Sequence, residues 1–307
     1  MLWANRRIRF VLTAECNIDC FYCHNEGQPK SEIYFSEKLF QHILKIIESN
    51  TDPIESVTFT GGEPLLHPKL DYFISTISRF SPKITMVTNG LLLTRERLIG
   101  LKDSGLTKIR LGVDSFSHDC SRPSILKKND RPIMEVIELI TNSNINFELN
   151  SVLTKYNRKD IPVILKFCKE HPISAKFFEM VDVEQLPDNA NTLQMIPMPQ
   201  VPFSEFETVA TSILKNCKYF IDEKMNGANY VFECNDFQIR YCKYLCDYNM
   251  CYKTGTRIDP SGAVYACMGR RGGFWINCND PIQVSERTIS NAVDAGCISK
   301  RAAQNDK

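Results

Sequence analysis

Short runs of apolar and β-branched residues alternate with amphipathic segments over roughly the first 180 residues of the chain. The runs have the length and composition of strands and lie at residues 8–12, 56–60, 83–88, 108–113, 147–153 and 175–179. The segments between them carry apolar residues at helical spacing, at residues 37–49, 70–79, 94–103, 132–141 and 159–169. Ser36 is the expected N-cap of the first of these helices.

This alternation predicts the fold class. Strands joined by helical crossovers form a parallel sheet, and six strands are too few to close an eight-stranded barrel. We therefore expect an α/β fold in which residues 1–185 form a curved, partly open, TIM-like (β/α)6 barrel.

The alternation of strand and helix patterns ends after Glu179. Residues 186–203 contain four prolines without periodicity and are expected to form a linker or a covering loop. A helix over residues 204–218 is followed by β-type segments, one of which is residues 257–267 with a turn at Asp259–Gly262. Residues 204–307 are thus predicted to be a small C-terminal extension with a β-hairpin and helix.

Composition and charge narrow the function classes. The 307 residues include 37 Lys+Arg and 36 Asp+Glu, a net charge of +1, and 43% are hydrophobic, which is typical of a soluble globular protein. Near-zero charge argues against a nucleic-acid partner. Arg6, Arg7 and Arg9 interrupt the run that a secretory signal needs, and no membrane span of about 18 apolar residues is present, so we expect a cytoplasmic protein without a membrane partner.

Three of the thirteen cysteines, Cys16, Cys20 and Cys23, follow the first strand on one short loop. In a reducing compartment such a group favours metal chemistry over disulfides. Three thiolates at the carboxyl edge of a parallel sheet can hold three irons of a 4Fe-4S cluster and leave the fourth iron open. A zinc knuckle is the alternative interpretation. His24 and Glu26 follow the loop. A structural role in capping or packing and a chemical role beside the cofactor are equally open interpretations for both residues.

The spacing Cys-x3-Cys-x2-Cys, with Tyr22 before the last cysteine, resembles the radical S-adenosylmethionine (SAM) superfamily. The motif of Gly61, Gly62, Glu63 and Pro64 after the second strand matches the GGEP motif of that family. The resemblance implies a 4Fe-4S cluster that binds SAM and cleaves it reductively to a 5′-deoxyadenosyl radical, which takes a hydrogen atom from a substrate. It also implies an electron donor of the flavodoxin or ferredoxin type.

Within this superfamily the chain is similar to the GTP 3′,8-cyclases of molybdenum-cofactor synthesis. The similarity extends over Cys20–Gly27, Thr60–Leu66, Val87–Leu92, Leu101–Gly105 and Val113–Ser115 and continues at Asn150 and at Phe177–Met180. It implies that Arg9 and Arg257 face the substrate, with Thr88 reaching toward the same side. The cofactor contacts that it implies are Tyr22, Gly61, Gly62, Glu63, Pro64, Thr88, Asn89, Ser115, Asn150 and Met180.

A second group of cysteines lies near the carboxyl terminus. The spacing of Cys251, Gly262 and Cys267 resembles the hairpin of the twitch domain, a part of the larger SPASM domain that carries an auxiliary 4Fe-4S cluster. Cys246, with Cys242 or Cys278, would complete the ligand set implied by this resemblance. The spacing departs from that of the family, and zinc is the alternative for this site.

Several departures from the cyclases bear on the substrate. The cyclases have basic residues where this chain has Ser56 and Thr58, a lysine where it has Glu148, and a hairpin arginine where it has Gly255. A triphosphate carries about four negative charges and depends on charge-assisted hydrogen bonds. We therefore expect a small-molecule substrate other than GTP, such as a nucleoside or sugar derivative.

Three alternatives remain at this stage: a maturase of a ribosomally synthesised peptide, a GTP 3′,8-cyclase, and a non-catalytic iron–sulfur or zinc protein. Formation of 5′-deoxyadenosine by anaerobically reconstituted protein distinguishes the enzymes from the third.

Overall fold

The computed structural model describes residues 2–28, 31–116, 132–185, 193–198, 200–222, 229–243, 255–266 and 273–295. Six strands and five helices alternate from Arg7 to Glu179 in the described residues. The strands are β1 (Arg7–Val11), β2 (Ser56–Thr60), β3 (Ile84–Thr88), β4 (Lys108–Gly112), β5 (Asn146–Leu153) and β6 (Ala175–Glu179). The helices are α1 (Glu37–Ser49), α2 (Leu70–Ile77), α3 (Arg95–Asp103), α4 (Ile133–Ser143) and α5 (Ile161–Glu170). The predicted strands and helices are confirmed to within a few residues at each end.

The described chain after β6 adds three antiparallel groups and two helices. Its elements are β7 (Val181–Gln185), β8 (Leu193–Pro197), α6 (Phe203–Ile213), β9 (Lys218–Asp222), β10 (Asn229–Glu233), β11 (Gln238–Cys242), β12 (Thr256–Ile258), β13 (Val264–Tyr265) and α7 (Ile282–Ala295). β7 and β8 pair as a separate two-stranded sheet, so part of the segment expected to be a linker is a strand. Helix α6 ends at Ile213 rather than at residue 218, because Lys218 already begins β9.

One 11-stranded sheet runs through the molecule in the order β13-β12-β1-β2-β3-β4-β5-β6-β11-β10-β9. Strands β1 to β6 are parallel, and β12 and β11 pair in parallel with β1 and β6, respectively. The prediction of an open, parallel α/β barrel is confirmed. The C-terminal strands extend this same sheet at both sides, which the sequence pattern did not indicate.

Alternation along the strands decides which side chains face the helices. Ile109, Leu111 and Leu149 are fully buried in the core with the apolar faces of the helices. Arg110 and Glu148 take the positions between them and therefore face the opposite, concave side of the sheet. The helical side is apolar and the concave side is polar, as a barrel with an internal site requires.

Helix α1 shows how local signals set an element. The Ser36 side chain accepts a hydrogen bond of 3.1 Å from the Leu39 N–H, which confirms Ser36 as the N-cap. Phe40 of this helix stacks on Phe73 of α2 with ring centroids 4.1 Å apart. Among the described helices, none combines the length and the apolar character that crossing a bilayer requires.

A disulfide joins Cys217, just before β9, to Cys234 in the β10–β11 turn. The Cα atoms lie 4.5 Å apart across 17 residues of sequence. In the sequence, Cys217 and Cys168 lie within apolar helical patterns that predict core thiols, and no feature indicates a partner for Cys234. The pairing arises because the end of α6 returns beside the β10–β11 turn, a contact that is not local in sequence. Cys168 is fully buried in α5, as expected for a core thiol.

Candidate active site

The three N-terminal cysteines lie on the loop that follows β1 at the carboxyl edge of the sheet. Cys16 and Cys20 are partly buried and Cys23 is exposed, and the Cys23 N–H donates to the Cys20 carbonyl over 3.0 Å. Burial, together with the negative charges of Asp114 and Cys23, raises the pKa of the Cys20 thiol to about 12. Burial likewise raises the pKa of Cys16. These thiols therefore need a nearby positive charge, such as that of a metal, to become thiolates at neutral pH.

The GGEP loop lies directly against the cysteine loop. The Gly62 N–H donates to the Thr13 carbonyl over 2.7 Å and the Glu63 N–H to the Glu15 carbonyl over 2.8 Å, extending the β1–β2 pairing. A Cβ atom at Gly61 would lie 2.5 Å from the Thr13 oxygen, and one at Gly62 would lie 2.0 Å from the Glu15 oxygen. Only glycine allows the two loops to approach this closely.

Glu63 ties this loop to the end of β3. Its Oε1 accepts from the Leu65 N–H at 3.0 Å and the Thr88 hydroxyl at 2.7 Å, and its Oε2 accepts from the Asn89 N–H at 2.9 Å. Burial raises the pKa of Glu63 to about 7 against the opposing effect of these hydrogen bonds. Glu63 and Thr88, both predicted cofactor residues, thus lie together, and Pro64 begins the short 3-10 turn that follows.

Two asparagines of the predicted set face the same region. The Asn89 Nδ2 donates to Asn17 Oδ1 at 2.8 Å and lies 3.8 Å from Cys16 Sγ, so it reaches the cysteine loop. The Asn150 Oδ1 is buried and accepts no hydrogen bond within the described structure. A buried acceptor of this kind marks a position for a ligand donor.

The remaining predicted cofactor residues lie at the same edge of the sheet. The Ser115 hydroxyl donates to Asp160 over 2.8 Å, and Met180 is buried directly after β6. The Tyr22 hydroxyl donates to Asp114 Oδ2, and the other oxygen of Asp114 accepts from the Val152 N–H over 2.9 Å. Asp114 therefore anchors the cysteine loop to β4 and β5. Asp114 was not among the predicted site residues, although its place beside Ser115 at a strand end was a usable signal.

The donor chemistry of this edge fits the cofactors that the sequence implied. Three thiols on one loop match a 4Fe-4S cluster, whose cube separates its ligands more widely than a single ion does. Within the described ranges, no three metal-ligating side chains are grouped for a single ion. A cluster held by Cys16, Cys20 and Cys23 would supply, at its open iron, the electron that cleaves SAM. The Asn150 oxygen, buried without a partner among the described residues, would be available to accept a hydrogen bond from SAM.

Glu26, three residues after Cys23, is the centre of a buried ion-pair group. Its oxygens contact Arg9 Nη2 at 2.7 Å and Arg257 Nε at 3.1 Å. Burial raises its pKa, but the two arginines outweigh burial and hold the pKa of Glu26 at about 2. The Tyr265 hydroxyl donates to the Glu26 carbonyl over 2.9 Å. The cysteine loop is therefore tied to β1 and to the β12–β13 hairpin, and the two arginines predicted to face substrate are both engaged with Glu26.

A second ion-pair group lies further from the carboxyl edge, on the concave face. Glu148 contacts Lys108 at 2.7 Å, Arg110 at 2.6 Å and Lys176 at 2.6 Å. Lys108 and Arg110 also line a cavity of about 720 Å³ at the amino ends of the strands. These three cations were not among the predicted site residues, because only the pairing of adjacent strands brings them together around Glu148.

The second cysteine group is only partly within the described residues. Cys246, Cys251 and Cys267 lie outside them, whereas Cys242 ends β11 and Cys278 precedes α7. Burial raises the pKa of Cys242 to about 11. The predicted hairpin is present as the antiparallel pair β12–β13, in which Arg257 lies opposite Tyr265. The ligand set and the twitch-type cluster stay predictions.

Comparison with known proteins agrees with this geometry. The family model described as the radical SAM superfamily matches residues 10–168. GTP 3′,8-cyclase of Aliarcobacter butzleri (strain RM4018) is 27% identical over 223 residues, 69% of this chain and 68% of that protein. The probable GTP 3′,8-cyclase of Methanocaldococcus jannaschii is 26% identical over 254 residues, 78% of this chain and 83% of that protein.

Two solved structures share the fold. Native anSMEcpe with bound AdoMet superposes with a TM-score of 0.64 at 14% identity, covering 94% of this chain and 82% of that one. Streptococcus suis SuiB bound to S-adenosylmethionine superposes with a TM-score of 0.62 at 12% identity, covering 94% and 67%. At these identities the likeness shows a common architecture.

Proposed function

The chain belongs to the radical SAM superfamily and is a radical SAM enzyme, and on this basis we propose that it abstracts hydrogen from an anionic small molecule held inside the barrel. The observation that carries the proposal is the charge on the concave face of the sheet, toward the amino ends of the strands. Arg9, Lys108 and Arg110 line the cavity there, and their side chains are 21%, 35% and 27% exposed. The basic side chains in this lining outnumber its two carboxylates, Glu55 and Asp236, and partly exposed cations attract anions.

GTP is the first candidate substrate, because the relatives reported above are named GTP 3′,8-cyclases. Their names favour this reaction over our first expectation of a different small molecule. The departures at Ser56, Thr58, Glu148 and Gly255 together weigh against GTP, and Glu148 is the one at which a lysine of the cyclases is replaced by a residue of opposite charge. In the structure Glu148 gathers three cations from neighbouring strands, so the concave face keeps an excess of positive charge.

A less highly charged small molecule is the second candidate, and Glu148 is the observation that favours it. A carboxylate among these cations competes with the phosphates of a triphosphate for the same N–H groups.

The proposal also includes an electron donor of the flavodoxin or ferredoxin type. It includes an auxiliary 4Fe-4S cluster drawn from Cys242, Cys246, Cys251 and Cys267, which the β12–β13 hairpin supports.

The test begins with protein reconstituted anaerobically with iron and sulfide. We expect dithionite to produce 5′-deoxyadenosine from SAM, and about eight irons per chain to fall to about four when Cys16, Cys20 and Cys23 are all replaced by alanine. Cys168→Ala, in the core of α5, is the matched control and should keep its iron.

Fully loaded protein that makes no 5′-deoxyadenosine would contradict the proposal. Addition of GTP then separates the two candidates. Formation of the 3′,8-cyclised nucleotide would identify GTP as the substrate, and its absence would direct the search to less charged nucleosides, sugars and peptides.

A further inference from the structure

Glu148 of β5 lies at the centre of three cations that come from the two neighbouring strands, β4 and β6. Its Oε2 contacts Lys108 Nζ at 2.7 Å, and its Oε1 contacts Arg110 Nε and Lys176 Nζ, each at 2.6 Å. Arg110 is the register partner of Glu148 on β4, Lys108 lies two residues before it on the same face, and Lys176 is on β6. Side-chain alternation therefore directs all four groups to one spot on the concave face.

The carboxylate is more deeply placed than its partners. The Glu148 side chain is 7% exposed, whereas those of Lys108, Arg110 and Lys176 are 35%, 27% and 23% exposed. Burial raises the pKa of Glu148, but Lys176 and Arg110 outweigh burial and hold the pKa at about 2. Burial lowers the pKa of Lys176 and Glu148 opposes that effect, so the group holds one carboxylate among three basic side chains.

This group borders the cavity at the amino ends of the strands. Lys108 and Arg110 line that cavity of about 720 Å³ together with Arg7, Arg9 and Lys83. An anion in the cavity meets the exposed faces of the cations and must share their N–H groups with Glu148 behind them. The repulsion from Glu148 grows with each charge that the anion brings.

We propose that Glu148 is a specificity-determining residue that lowers the affinity of this cavity for a triphosphate more than for a monophosphate. The inference rests on the proposed function, in that the substrate is taken to be an anion bound at this face. Glu148 acts as an internal counter-ion. It forms ion pairs with Lys108, Arg110 and Lys176, and it disfavours binding of the ligands that carry the most negative charge. It also prevents the three cations from repelling one another when the cavity is empty.

The experiment measures binding of GTP and GMP to the iron-loaded enzyme by equilibrium dialysis, without reductant. We expect Glu148→Gln to raise the affinity for GTP about tenfold and that for GMP no more than about threefold, with the difference shrinking as salt is added. The matched control is Glu48→Gln, which removes the carboxylate of an exposed pair with Arg79 and should leave the ratio of affinities unchanged.

A second variant protects the test against misfolding of the first. Lys176→Gln removes one cation and leaves Lys108 and Arg110 on Glu148, so we expect the preference for GTP over GMP to fall. If the wild type binds neither nucleotide and Glu148→Gln gains GTP binding, the inference also stands.

An unchanged ratio in Glu148→Gln would overturn the inference, as would the failure of both the wild type and the variant to bind either nucleotide. Formation of 5′-deoxyadenosine from SAM by the wild type, measured without nucleotide, reports on the proposed function separately. The two can therefore fail independently.

Discussion

The Glu26 group offers the sharpest test of how the cysteine loop is held. Replacing Glu26 with glutamine removes one negative charge and leaves the guanidinium groups of Arg9 and Arg257 facing each other. Both arginines are largely shielded, with side-chain exposures of 21% and 5%. Glu26 is also held with left-handed backbone angles (φ 54°), which a residue other than glycine adopts at a cost. The contacts of its carboxylate hold this conformation in place.

Two lines of reasoning give the magnitude. Breaking a buried ion pair by removing one partner costs about 3–5 kcal/mol of unfolding free energy. The pKa of Glu26 falls from 4.5 to about 2, a shift that corresponds to about 3 kcal/mol of stability at neutral pH. At about 2 °C per kcal/mol for a chain of this size, Glu26→Gln should lower the melting temperature by about 6–10 °C.

The assay is thermal unfolding followed by circular dichroism, with Glu48→Gln as the control. Glu48 and Arg79 are 2.9 Å apart, but their side chains are 48% and 61% exposed, so this variant should lose less than about 1 kcal/mol. Because the folded pKa of Glu26 is lowered, its stabilisation is complete above pH 4.5 and is lost as the pH falls toward 2. The gap between wild type and Glu26→Gln should therefore shrink to less than half at pH 3. A gap that equals the control at pH 7, or that does not shrink with acid, would refute the reasoning.

Two further predictions concern the loops and the disulfide. Gly62→Ala places a Cβ 2.0 Å from the Glu15 oxygen, so it should lower the free energy of unfolding by about 3 kcal/mol or more and abolish iron loading. Gly100→Ala, which has open space in α3, should raise the free energy of unfolding by about 0.5–1 kcal/mol. Urea unfolding and iron analysis compare the two variants, and equal stability would contradict the packing of the two loops. Alkylation of the denatured, unreduced protein, followed by peptide mapping, should leave Cys217 and Cys234 unlabelled until a reductant is added, and labelling of both without reductant would show that the disulfide is absent. Replacing both cysteines by serine should lower the free energy of unfolding by about 3 kcal/mol.

Much of the barrel follows from signals that are local in sequence. The strand Ser56–Thr60 and the helix Glu37–Ser49 have the predicted bounds, because alternation and a Ser36 cap act over a few residues. The apposition of the cysteine loop and Gly62 was also predictable in kind. Both loops leave the carboxyl ends of neighbouring parallel strands, so they must meet at one edge.

The pairing of the C-terminal strands was not predictable in this way. Strand β12 joins β1 across about 250 residues of sequence, with Arg257 in register with Arg9, and β11 joins β6. Nothing in the local pattern of Thr256–Ile258 distinguishes a short hairpin strand from a strand that extends the barrel sheet. The same pairing brings Arg257 to Glu26, so a prediction of this strand as part of a separate extension could not have found that contact.

The charge of a barrel interior cannot be inferred from one position of one strand, as Glu148 shows. On β5 alone, an acidic residue in place of a lysine indicates a site that has lost its attraction for phosphate. In the sheet, Arg110 is the residue opposite Glu148, and Lys108 and Lys176 complete a group of three basic side chains around one carboxylate. The electrostatic character of a barrel interior depends on sets of side chains from adjacent strands, since charges a few ångströms apart act together. The substrate preference that we propose would therefore be a property of the Glu148 group as a whole, and variants that change its members singly are the means to measure it.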